Sequence, residues 1–183
     1  SSASELYEKL LEDYHETSEI YQKIGYIHQK NKSFNLAIKY YERADILNAD
    51  NAWTLRHLAY CHKQNGTYIQ ALEYYKKLES ISPDDLSIAT HIGECYLKMN
   101  EYEQALNYFF KVEFLSPNPN HARRAIAWCY FCLDKADSAT KYYSQLLKDD
   151  HPQKQDWLNM GHVYLTHDKT SKALKYYSKA KEY

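Results

Sequence analysis

Apolar residues along this chain recur at helical spacing and break off at regular corners. Leu6, Tyr7, Leu10, Leu11 and Tyr14 fall on one helix face, and similar spacing returns in Tyr21, Ile24, Gly25 and His28, then in Phe34, Ala37, Tyr41 and Ala44. Turn-forming residues separate these stretches at Asn31 to Ser33, around Asn48 to Asn51, at Asn65 and Gly66, and at Ser82 and Pro83. The pattern therefore predicts short helices joined in pairs by tight turns.

A fixed register underlies the pattern. Alanine stands at Ala3, Ala37, Ala71, Ala105, Ala139 and Ala173, each thirty-four residues after the last. Four residues after each comes an aromatic: Tyr7, Tyr41, Tyr75, Phe109, Tyr143 and Tyr177. A sustained period of this length means stacked units that bury their faces against their neighbours. Full units are expected at 18–51, 52–85, 86–119 and 120–153, with a last one at 154–183. Residues 1–17, with a helix over Ser4 to Tyr14, match the second helix of a unit whose first helix is absent. Pro83, Pro117 and Pro152 mark corners because proline cannot continue a helix. Gly66 and, one period on, Asn100 suit a left-handed turn inside a unit. Gly25, Gly93 and Gly161, with Ala59 and Ala127, form a small-residue column where a paired helix must pass close by.

Composition adds little that is specific. A net charge of -1 gives no bulk attraction to nucleic acid or membrane. No apolar run is long enough for a membrane span or a signal-peptide core, and localisation stays open. The register also decides how the cysteines are read. Cys61, Cys95 and Cys129 share a column with Ile27 and Val163, so they are expected to be small buried apolar residues. The Cys129-x-x-Cys132 pair lies inside a helix, without the second pair that a zinc site would need.

Trp157, Met160, Gly161 and Tyr164, followed by Ala173, Tyr177 and Ala180, closely resemble the signature of the tetratricopeptide repeat family, and Pro83 and Pro117 match its closing proline. The resemblance covers essentially the whole chain, with His28 and His62 in place of a tyrosine and Ala49 in place of one proline. The pentatricopeptide RNA readers have similar helix hairpins, but their repeat is one residue longer. The resemblance implies an all-α, right-handed superhelical solenoid of antiparallel helix pairs whose first helices line a concave face. Some members clamp a partner's terminal carboxylate there, but here Tyr60, His91, His121 and Ala125 stand where most of those clamp residues are needed.

On the first helices, the residues left over by the core stripe carry six positive charges (Lys23, Lys30, Arg56, Lys63, Lys98, Arg124) against two negative ones (Glu19, Glu94). Tyr26, Trp53, Tyr60, Trp128 and Phe131 add aromatic surface that the hairpin core does not require. The candidate groove is therefore Tyr26, Trp53, Arg56, His57, Tyr60, His91, Glu94, Arg124, Trp128 and Phe131. Its expected occupant is a partner peptide with acidic and apolar residues. His57 and His91 are expected to add positive charge there under mild acid. A metal or small-molecule site at His57, His91 and Glu94 is the less favoured reading, since helical metal sites use tighter pairs. His28 and His62 read as core residues. The sequence carries no catalytic constellation and no phosphate loop, so neither an enzyme nor a cofactor is expected. The alternative to a peptide scaffold is a structural spacer or self-association segment acting through its uncapped ends.

Overall fold

The computed structural model describes Lys9, residues 16–149 and residues 152–182. The helix expected over Ser4 to Tyr14, apart from Lys9, and the corner residue His151 lie outside the described residues. Among the described residues all regular elements are helical: α1 Ser18–Lys30, α2 Phe34–Leu47, α3 Ala52–Gln64, α4 Tyr68–Ile81, α5 Leu86–Lys98, α6 Tyr102–Leu115, α7 Asn120–Cys132, α8 Ala136–Leu146, α9 Lys154–Leu165 and α10 Thr170–Lys181.

Local chemistry starts and stops these helices. The Thr17 hydroxyl accepts from the Ile20 amide at 3.3 Å, and Asn51 Oδ1 accepts from the Thr54 amide at 3.1 Å, each satisfying a first-turn donor with no intrahelical partner. Each turn inside a pair contains one left-handed residue, in the same place every time: Lys32, Gly66, Asn100, Asp134 and Asp168, with φ between 56° and 78°. The next amide then returns to the first helix, as Ser33 to the His28 carbonyl at 2.9 Å and Lys169 to the Tyr164 carbonyl at 2.9 Å. Glycine takes this conformation freely, whereas the other four residues bear roughly 1 kcal/mol or more apiece.

Aromatic stacking closes each pair. His28 lies on Tyr40, His62 on Tyr74, Tyr96 on Tyr108, Tyr130 on Tyr142 and Tyr164 on Tyr176, with ring centroids between 5.2 and 5.9 Å apart. This is the setting of the two expected core histidines. His62 is buried with Nδ1 2.8 Å from the Thr67 hydroxyl, while His28 is half-buried against its tyrosine.

A second aromatic column, Tyr41, Tyr75, Phe109 and Tyr143, is buried. Tyr41 explains the glycine of its own pair, because a Cβ on Gly25 would stand 2.7 Å from the Tyr41 ring. Cys61, Cys95 and Cys129 are buried too, and burial pushes their thiols up to about 12, which leaves them protonated packing groups.

The helices form two compact units, residues 1–95 and 96–183. In the first, α1 packs on α2, α2 on α3 and α3 on α4, around a cluster of Ala37, Ile38, Tyr41, Leu58 and Cys61. In the second, α6 to α10 pack in succession around Ala127, Ala139, Tyr143, Leu146, Met160 and Val163. No helix among the described residues is long and apolar enough to cross a membrane.

Candidate functional site

In the first unit, Tyr26 on α1 and Trp53 on α3 bring their rings to 6.3 Å while staying 39% and 42% exposed. With Glu19, Gln22, Lys23 and Ile27 they line an open cleft of about 560 Å3. Neither ring closes a helix pair, since that position is taken by the His28–Tyr40 stack. The aromatic surface continues to Tyr60, which is exposed and meets Phe34 edge-on at 6.3 Å.

Behind the cleft, His57 packs 3.8 Å from the Trp53 ring centroid, edge-on to Tyr26 at 5.8 Å and beside Tyr41 at 5.4 Å. One atom organises this cluster. Gln29 Oε1 accepts from the Tyr41 hydroxyl at 2.9 Å and from Cys61 Sγ at 3.6 Å, and it lies 2.7 Å from His57 Nδ1. An amide oxygen can only accept, so Nδ1 carries the ring proton and Nε2 is left as an acceptor. Burial, then the charges of Arg56 and Lys30, lower the His57 pKa to about 4. The expectation that mild acid would charge this residue is therefore wrong, because removing the ring from water disfavours its cation.

A pH prediction follows with a definite sign. The unfolded ring titrates near 6.5 and the folded ring near 4, so the unfolded chain binds the proton first. His57 contributes its full stability above the unfolded value, and that contribution fades as pH falls toward the folded one. In NMR titrations His57 should remain a neutral Nδ1–H tautomer at about pH 5.5. His57→Gln should flatten the loss of stability across that window, and an imidazole that titrates near 6.5 would refute the assignment.

The charged candidates are more committed than a tally of first-helix residues suggests. Arg56 Nη2 pairs with Asp85 Oδ2 at 2.9 Å, and Lys63 Nζ pairs with Glu94 Oε2 at 2.7 Å. Asp85 lies at the corner, outside the helices that were counted, so this face is less basic than expected. Lys63 Nζ also lies 3.0 Å from His91 Nδ1, and that nitrogen is 3.2 Å from Glu94 Oε2. A neutral His91 can accept from the lysine, whereas a protonated one would donate to the carboxylate instead. The ammonium fills the space between His91 and Glu94, and His57 Nδ1 is held by Gln29, so these residues do not converge as ligands. Among the described residues no group of three His, Cys, Asp or Glu could hold a metal ion.

In the second unit, Trp128 is 37% exposed and lies 5.3 Å from Phe131. Phe131 also packs against the unit's core cluster, so it supports the pair as well as its surface, contrary to the expectation that the core does not need it. Arg124 is held along one edge of its guanidinium by a single carboxylate: Nε donates to Asp156 Oδ1 at 2.8 Å and Nη2 to Asp156 Oδ2 at 2.9 Å. Asp156 is buried and accepts the Gln153 amide at 2.9 Å as well, which makes Arg124 a brace between α7 and α9. Gln29, Asp85 and Asp156 stand outside the candidate groove drawn from the sequence, although Gln29 falls on the inward side of its helix and Asp85 at a helix-opening corner. Asp156 shows in the sequence as an acid in the first turn of its helix.

Comparisons with known proteins agree with this architecture. Residues 18–51 match the family described as tetratricopeptide repeat, and residues 47–112 match the one described as anaphase-promoting complex, cyclosome, subunit 3. Curated protein sequences give no match. Among solved structures, a crystal structure of MamA is 21% identical over 92% of both chains, with a TM-score of 0.79. MamA from Desulfovibrio magneticus RS-1 is 16% identical over 90% of this chain and 93% of that one, with a TM-score of 0.82. YrrB, described as a TPR protein with an unusual peptide-binding site, is 20% identical over 97% of this chain and 92% of that one, with a TM-score of 0.74. Identities this low speak for the fold. The thirty-four-residue register, the helix pairs it builds and the match of residues 18–51 together show that this chain carries tetratricopeptide repeats and folds as an all-α solenoid.

Proposed function

We propose that the chain is a non-catalytic protein-interaction scaffold whose first helices bind a peptide segment of a partner protein, with the Tyr26–Trp53 cleft as its principal anchor pocket. We divide the array into units at 18–51, 52–85, 86–119, 120–153 and 154–183. The observation that carries the proposal is the pair of exposed, neighbouring rings at Tyr26 and Trp53 over a cleft of about 560 Å3. Exposed tryptophan and tyrosine cost the fold apolar surface left in water, and such residues dominate binding energy at interfaces. YrrB, whose fold is similar, is itself described as having a peptide-binding site.

The partner's apolar side chain enters this cleft. Arg56 and Lys63 are already paired with Asp85 and Glu94, so the acidic component of the partner orients it more than it holds it. The test begins with peptides selected from a display library on the intact chain. Trp53→Ala should weaken the selected peptides by about 2 kcal/mol, roughly thirtyfold, measured well below the melting temperature of the variant, which falls somewhat because this ring also packs on His57 and Tyr41. Equal affinity for both proteins would sink the proposal.

A second reading rests on Leu174. This residue of α10 is 63% exposed, whereas Leu72 and Leu106, in the same register, are each 7% exposed. That apolar surface suits end-to-end association, which predicts a sedimentation coefficient that rises with concentration and is restored to a constant value by Leu174→Glu. A coefficient independent of concentration in the unsubstituted chain removes this reading.

A further inference from the structure

The second unit carries another cleft. Ser144, Leu147, Lys148, Trp157, Lys175, Tyr176 and Lys179 enclose about 240 Å3 between α8, α9 and α10. Its floor is aromatic: the Trp157 and Tyr176 rings are 6.0 Å apart, and Tyr176 is stacked on Tyr164. Its rim is cationic, with Lys179 Nζ held 5.0 Å over the Trp157 ring.

Two observations set this rim apart. Among the described residues Lys148, Lys175 and Lys179 form no ion pair, whereas Arg123 and Arg124 of the same unit are each paired with a carboxylate. Helix α10 carries Lys172, Lys175, Lys179 and Lys181 with no acidic residue from Thr170 to Lys181. Lys172, Lys175 and Lys179 follow one another at i+3 and i+4 on one face, a spacing at which like charges destabilise a helix by a few tenths of a kcal/mol per pair. Lys172 and Lys179 lie over the Tyr164 and Trp157 rings, contacts that leave their charges uncompensated, and the chain as a whole carries a net charge of -1. The equivalent cleft of the first pair, lined by Tyr21, Lys39, Tyr40, Glu42, Arg43 and Ile46, includes a carboxylate at Glu42, where the register of the last pair has Ser178.

We propose that this cleft is a second docking site, independent of the Tyr26–Trp53 groove, for a partner segment that combines carboxylates with an aromatic or aliphatic side chain. The carboxylates pair with Lys148, Lys175 and Lys179, and the apolar group lies over Trp157 and Tyr176. Opposite charge at the rim steers the segment in, and the aromatic floor retains it.

The chain's three tryptophans give the test a built-in locator. A fluorescein-labelled peptide of sequence Glu-Glu-Phe-Glu-Glu-Leu is titrated into the isotopically labelled full chain, following anisotropy and the three indole N–H resonances. The Trp157 resonance should move, and should move equally in a Trp53→Ala variant that lacks the first cleft, while that of Trp128 stays. The triple substitution Lys148→Glu, Lys175→Glu, Lys179→Glu should weaken binding by about tenfold or more. Lys175→Glu alone, at an exposed position, should give a smaller loss and keeps the test decisive if the triple variant folds poorly. Movement of Trp53 or Trp128 in place of Trp157 overturns the proposal. So does unchanged affinity on charge reversal, equal binding of a Glu-Ser peptide without apolar residues, or lysine-dependent binding of phosphatidylserine vesicles or single-stranded DNA without binding of the peptide.

Discussion

Asp156→Ala is expected to destabilise the second unit by about 3 kcal/mol, the scale on which a buried ion pair fails when one partner is removed. The carboxylate makes three contacts at once, two from the Arg124 guanidinium and one from the Gln153 amide, and its side chain is 1% exposed. Its loss leaves the start of α9 without its cap and Arg124 without its counter-charge. Arg124 is 25% exposed and can turn partly toward water, which places the cost at the lower end of the usual range. Asp156→Asn keeps one acceptor and should cost less, while Arg124→Ala combined with Asp156→Ala should cost less than the sum of the two single changes. Hydrogen exchange at α7 and α9 resolves the effect locally, which matters in a stacked array where one global melting point can mask the loss of one unit. A change within about 0.5 kcal/mol of the parent chain would show that the pair does not brace these helices.

The second large effect concerns the buried column of Tyr41, Tyr75, Phe109 and Tyr143. Tyr75→Ala should cost about 3–5 kcal/mol, since it empties a fully packed position. Tyr75→Phe should do the opposite. The Tyr75 hydroxyl is buried with no hydrogen-bond partner among the described residues, and Phe109 already fills the same place one period later. Removing an unsatisfied polar group while keeping the ring is expected to stabilise the first unit by about 1 kcal/mol. Tyr41→Phe is the control of opposite sign, losing about 1 kcal/mol because the Tyr41 hydroxyl donates to Gln29 Oε1. Chemical denaturation of the three variants reads these differences directly, and the explanation fails if the two phenylalanine substitutions move stability in the same direction.

These two sites also show where sequence reasoning holds and where it stops. The alanine ladder, the aromatic column and the cysteine column are legible because each is a small or apolar demand repeated every thirty-four residues. Exposure of Trp53 and Tyr26 is legible by subtraction, as aromatics that the hairpin does not use. Pairing between units is a different matter. Arg56 finds Asp85 twenty-nine residues away and Arg124 finds Asp156 thirty-two away, separations set by how neighbouring pairs stack. A charge count over one face therefore overstated its basic character. Gly66 and Asn100 announce a left-handed turn by residue type, but Lys32, Asp134 and Asp168 adopt it because the returning amide bond demands it. The expectation for His57 failed for a related reason. Titration near neutrality is a property of exposed imidazole, and a ring packed on Trp53 and bonded to Gln29 has exchanged that solvent for protein.

The bonds that join one helix pair to the next span nearly one period and no more: Gln22 to Thr54, Gln29 to His57, Lys63 to Glu94, Asn120 to Asp149, Arg124 to Asp156. Such a molecule has low contact order, so its folding involves little loop-closure entropy and should be rapid. Each pair is secured by its immediate neighbours alone. Damage at one pair then stays local, and the array can open over a single repeat while the repeats on either side keep their structure.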